Sequence, residues 1–144
     1  GDQKSLGSCA SYATTYYQYT YEVNKLNHVN SESDRVIYSP KWTYNFANNG
    51  YNSGTTLTNN YKVLMSLGCL KNNDFPYTGN SSNYIEWASG LEDEKIEALQ
   101  TRITKINKYE IPVNSNISSP SSTALQGLKN ILNEGKIVVT STRC

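Results

Sequence analysis

The chain has 144 residues, enough for one domain with a sizeable core and too few for two ordinary ones. Hydrophobic residues are 37% and charged residues only 17% of it, and Asn, Ser and Thr make up about a third, a balance that argues against disorder through self-repulsion. Thirteen Lys and Arg against twelve Asp and Glu leave a formal charge of +1, so no electrostatic term favours nucleic acid or an anionic membrane, and no apolar run approaches the roughly 20 residues of a membrane span.

Gly1 to Ser8 reads as a polar, glycine-bearing loop. From Cys9 a long segment without Gly or Pro places Ala10, Ala13, Tyr17 and Tyr21 at helical spacing, which predicts a helix from Cys9 to Leu26, roughly 27 Å long at 1.5 Å per residue. Ser39 as N-cap with Pro40 at the first helical position opens a second helix through Trp42, Tyr44 and Phe46, which Asn48, Asn49 and Gly50 stop. A turn at Asn52-Ser53-Gly54 leads into a third, with Leu57, Tyr61, Leu64 and Met65 on one face and Gly68 as its stop.

Asn72 to Asn83 is a polar connector containing Phe75-Pro76-Tyr77, followed by a helix from Glu92 to Leu99 with Ile96 and Leu99 on one side. Ile103, Ile106, Tyr109 and Ile111 then lie in a stretch with strand-like but imperfect alternation. Ser121 to Leu132 is helical by pattern, Gly135 stops it, and Lys136 to Ser141 reads as a short buried strand of β-branched residues. With neither repeat nor linker, the expectation is one α+β domain over 1–144, helices first and strands later. Twelve Tyr against two Phe and two Trp give it a core whose hydroxyls need partners.

Three cysteines, Cys9, Cys69 and Cys144, allow at most one internal disulfide. Cys9 stands at the start of the long helix, where backbone N–H groups and the helix dipole favour a thiolate. That effect is about 0.3–1 kcal/mol at an exposed site, less than one pKa unit, so by itself the position fits a packing residue as well as a nucleophile.

The surroundings of Cys9 carry more information. Gln3 precedes it by six residues, the local context is Gly7-Ser8-Cys9, and small Ala residues follow. This resembles the papain-like cysteine peptidases. The similarity continues through Tyr38-Ser39-Pro40, the Ser53-Gly54 turn, Phe75-Pro76-Tyr77 and the order of the last helix and strand. The resemblance implies a papain-like α+β fold, with a helical subdomain followed by an incomplete strand-rich one, and peptide-bond hydrolysis through an acyl-enzyme on Cys9. It further implies that Gln3 stabilises the oxyanion, that Ser53 and Gly54 bind the substrate backbone, that the partner is a peptide or protein substrate, and that no cofactor is needed. Secretion or a cell-surface location is a family expectation.

The chain also departs from that pattern. Leu6 stands where family members often have a cysteine paired to one near the substrate turn, and Ser53 replaces the turn's first Gly. The sole histidine, His28, follows the far end of the helix that Cys9 begins. A catalytic imidazole and its Asn are expected about 130–150 residues past the nucleophile, where this sequence has no histidine. Either the domain is incomplete at both ends, the missing catalytic half lying in the rest of a parent chain, or it is an inactive peptide-binding or structural relative. The joint presence of Gln3 and Cys9 favours the first. No Cys-and-His spacing suits a metal, Glu92-Asp93-Glu94 fits a helix's first turn, and the glycosylation acceptors at Asn80 and Asn116 match a pattern common in Asn- and Ser-rich sequence.

Overall fold

The computed structural model describes residues 2–80, 92–107 and 122–141. Tyr109, Ile111, the Asn116 acceptor and Cys144 lie outside these. The helix expected from Cys9 to Leu26 is a rod of three parts: α1 (Cys9–Ser11), a π-helical stretch (Tyr12–Tyr19) and α2 (Thr20–Leu26). The middle is widened because hydroxyls take over carbonyls of the ladder: Thr14 donates to Ala10 O (2.8 Å) and Thr20 to Thr15 O (3.1 Å). The Thr20 N–H also reaches Thr15 O, five residues back.

α3 (Pro40–Ala47) starts where Ser39 and Pro40 predict, with the Ser39 hydroxyl accepting from the Trp42 N–H at 3.3 Å. α4 (Leu57–Ser66) is capped in the same way by Thr56, which accepts from the Asn59 N–H at 3.1 Å. The inward face of α4 keeps the expected Leu64, with Tyr61 packed against the core, but adds Asn60 and Val63, and Met65 is exposed. The hydrogen bond from the Ser11 hydroxyl to Asn60 Oδ1 (2.6 Å) sets that rotation. α5 (Glu92–Leu99) and α6 (Ser122–Asn133) occupy nearly the predicted spans. On α5, however, the small Ala98 faces inward, while Ile96 and Leu99 are exposed.

The core brings Tyr19, Tyr38, Trp42, Leu64, Cys69, Leu70, Phe75 and Ala98 together. Tyr19 meets Tyr38 edge to face, and Trp42 does the same with both Phe46 and Phe75. Hydroxyls are absorbed internally: Thr15 bonds Thr43 (2.8 Å), Tyr19 donates to Thr101 O, and the Tyr38 N–H donates to the Thr20 hydroxyl (3.0 Å). Cys69 is a free, buried thiol within hydrogen-bonding reach of Ser39 O, and burial pushes it well above the usual thiol range.

The α+β expectation is overturned: the described residues are helical and contain no sheet. Extended pairing among them is an isolated antiparallel bridge between Tyr38 and Lys71. Residues 101–107 are irregular, and Lys136 to Ser141 form no strand. The reason lies in where the backbone groups go. Gln18 donates to Ile137 O (2.8 Å), Lys25 to Gly135 O (2.6 Å) and Tyr21 to the same oxygen (3.3 Å), while the Ile137 N–H reaches Glu22 at 3.4 Å. Side chains of the rod thus take up the backbone groups of Gly135 and Ile137 in place of a β-ladder at the start of this segment. Among the described residues no helix is long and apolar enough to cross a membrane.

Gly68, with φ +69°, ends α4 against the end of α5, and a Cβ there would lie 1.8 Å from Ala98 O. Gly68→Ala therefore collides with backbone that cannot turn aside, and a loss of about 3 kcal/mol or more is expected in urea unfolding. Burial raises the phenol pKa values of Tyr19, Tyr38 and Tyr61. The unfolded chain releases these protons near pH 10 and the folded chain holds them longer, so stability is full below about pH 10 and falls above it. Urea midpoints measured from about pH 8 to about pH 11, alongside tyrosinate absorbance, should show the decline start where the exposed tyrosines ionise.

Candidate active site

Residues 2–8 have no regular secondary structure to hold them, and their placement comes from partners far away in sequence. The side chain of Leu6 is buried in the protein and anchors the loop. Lys4 takes a left-handed conformation (φ +51°), its N–H donating to Asp2 Oδ1 at 2.8 Å. Two phenols hold the carbonyls at the loop's start: Tyr12 donates to Asp2 O (2.9 Å) and Tyr77 to Gln3 O (2.7 Å), and the two rings meet edge to face. Because the Tyr77 hydrogen goes to Gln3 O, the buried Ser8 hydroxyl, 2.6 Å away, donates to the Tyr77 oxygen. Ser8 thus makes no side-chain cap at the helix start.

Cys9 is an exposed, free thiol. It shares the wall of an open depression of about 520 Å³ with Asp2, Gln3, Tyr12, Ala13 and Tyr17. Gln3 and Cys9 therefore line one hollow. The Gln3 side-chain amide donates to Leu6 O at 3.3 Å, which employs one of its two hydrogens.

The turn at residues 52–54 packs on the other side of the loop. Gly54 has φ +83°, and a Cβ on Gly7 would lie 2.9 Å from Gly54 N, so the two backbones touch. Asn52 Oδ1 accepts from the Gly7 N–H (3.0 Å) and from the Tyr44 hydroxyl (2.6 Å). Tyr44 is buried, which raises its pKa, and a further upward push comes from Cys9. Ser53 is exposed and Gly54 half-buried. Gly54 abuts the segment that leads into Cys9, and neither residue lines the depression that Cys9 and Gln3 share.

His28 is exposed in a left-handed turn (φ +55°) just after α2, at the opposite end of the rod from Cys9. Among the described residues no group of three His, Cys, Asp or Glu side chains could hold a metal, and Glu92, Asp93 and Glu94 form the first turn of α5. The sequence reading gave no role to Asn52, Tyr44 or Tyr77. Asn beside Ser and Gly signals only a turn, and no local pattern announces hydrogen bonds that span 45 or 69 residues.

No family model matches this chain, and no curated protein matches its sequence. Among solved structures it is similar to xylellain, a cysteine protease from Xylella fastidiosa, with a TM-score of 0.54 at 23% identity. The similarity covers 72% of this chain and 42% of that one, so the chain spans less than half the length of its neighbour. The helical arrangement is thus a known one, found in a protein with a cysteine-dependent activity.

Tyr77→Phe keeps the ring contact with Tyr12 and strands both the Gln3 carbonyl and the Ser8 hydroxyl. It should cost about 1–2 kcal/mol in urea unfolding, against no measurable change for Phe at the exposed Tyr51.

Proposed function

We propose that these residues form the nucleophile-bearing part of a papain-like cysteine peptidase. The observation that carries the reading is an exposed free cysteine, Cys9, that lines one open hollow together with Gln3 at the start of a helical rod. The sulfur attacks the scissile carbonyl carbon, and the electron pair of the C=O bond moves to oxygen. The second hydrogen of the Gln3 amide and the Cys9 N–H stabilise that oxyanion. Collapse expels the amine, which takes up the proton that the thiol gave to the imidazole base on attack, and leaves a thioester on Cys9 that water hydrolyses to the carboxylic acid and the free thiol. Ser53 and Gly54 pair with the backbone of the bound peptide.

The proton acceptor is the part this sequence does not supply. His28 stands at the wrong end of the rod, so we assign the imidazole to residues outside these 144. A span of less than half of the neighbouring protease fits that assignment. Removing the base from such a unit leaves little of its rate, so the 144 residues alone should hydrolyse peptides no faster than a small residue of ordinary turnover.

A peptidyl chloromethyl ketone tests the nucleophile directly, because its ketone oxygen takes the oxyanion's place on attack. Mass mapping should find the label on Cys9 and none on Cys69, and Gln3→Ala should slow the reaction about 100-fold. Labelling of Cys9 at a rate indifferent to Gln3 would contradict the reading and favour a binding module that holds peptides without cutting them.

A further inference from the structure

We infer that Asn52 is a positioning residue: it ties the loop that leads into Cys9 to the turn at residues 52–54 and so sets the distance between the nucleophile and the peptide-binding edge. The inference rests on the peptidase reading for its consequence, though not for its geometry. Three observations converge. Asn52 Oδ1 accepts from Gly7 N–H at 3.0 Å, two residues before Cys9. The same oxygen accepts from the Tyr44 hydroxyl at 2.6 Å, and Tyr44 is fully buried on α3, so the tie is fastened to the core. Beside it the Gly7 and Gly54 backbones are in contact, too close for any side chain at Gly7.

A single acceptor oxygen thus holds two donors from two elements. Neither Gly7 nor the turn belongs to a helix or a strand, so no ladder fixes their separation. The backbone contact limits how closely they approach, and Asn52 limits how far they part. Both of its bonds run to the oxygen, so the chemistry requires an acceptor at position 52 and not an amide. That gives the inference a sharp test: Asn52→Asp keeps the acceptor, and Asn52→Ala removes it.

The experiment uses the full chain with two readouts. The first is hydrogen exchange of the Gly7 amide. The second is the reaction of Cys9 with a peptidyl chloromethyl ketone relative to iodoacetamide. Both are read on the alkaline plateau, so that a changed thiol pKa does not enter. Asn52→Ala should speed Gly7 exchange about tenfold and slow the peptidyl reagent by a similar factor, with iodoacetamide altered less than about twofold. Asn52→Asp should restore both to within about threefold of the parent. Tyr44→Phe should give a smaller effect, since Asn52 then keeps the Gly7 N–H and loses its hold on the buried Tyr44 hydroxyl.

Unchanged Gly7 exchange in Asn52→Ala would overturn the inference, as would an Asn52→Asp variant no better than Asn52→Ala. If the parent chain itself shows no saturable reaction with the peptidyl reagent, the peptidase reading falls. Gly7 exchange then decides the tie alone: loss in the Ala variant with recovery in the Asp variant supports it, and any other pattern overturns it.

Discussion

An irregular loop that leads into an exposed cysteine must be placed by something other than its own backbone. Here the constraint is a set of side-chain hydrogen bonds to main-chain groups of residues 2–8. Tyr12 holds the Asp2 carbonyl, Tyr77 the Gln3 carbonyl, and Asn52 the Gly7 N–H. From the loop's own side, the Ser5 hydroxyl donates to Gly79 O at 2.8 Å. These partners come from the rod, from the connector after α4 and from the turn before it. The geometry around Cys9 therefore depends on much of the helical body being in place, and each partner is a neutral group whose bond is insensitive to salt.

The same chemistry runs through the interior. A core assembled from Tyr, Thr, Ser and Asn buries less apolar surface than one of Leu and Ile, and each hydroxyl must be matched or its desolvation is a net cost. The matching is thorough between the rod and its neighbours: Ser11 to Asn60, Thr15 to Thr43, Thr20 to the Tyr38 N–H, and Asn24 to Val36 O at 2.6 Å. Such bonds are directional, so they specify the rotation of each helix more sharply than apolar contact does. The rotation of α4 toward Asn60, away from the face that Leu57 and Met65 suggest, is one outcome.

Much of this was legible in the residues. Ser39-Pro40, the 52–54 turn and Gly68 mark real boundaries because caps and left-handed turns are decided locally. Cys9 and Gln3 stand out as a pair only through the resemblance to the papain-like peptidases, and both line one hollow. What failed was nonlocal. Lys136 to Ser141 has strand composition, but composition does not say what lies beside a segment, and here the rod's side chains do. On α4 apolar periodicity finds Leu64 and Tyr61 but misses the buried Asn60, and on α5 it misses the small Ala98 placed by close approach to Gly68. Asn52 and Tyr77 were hidden for a related cause: each acts on backbone, and backbone carries no sequence.

The clasp of the rod on residues 135–137 has a kinetic consequence. Its bonds join positions 110 to 119 apart in the chain, whereas the contacts of α1 to α4 are mostly nearer neighbours. Closing so long a loop demands entropy that a few half-exposed hydrogen bonds return only once the rod already exists. The helical body thus forms first and serves as the template on which the later segment settles, and that segment is the first to detach when the protein opens from its surface inward.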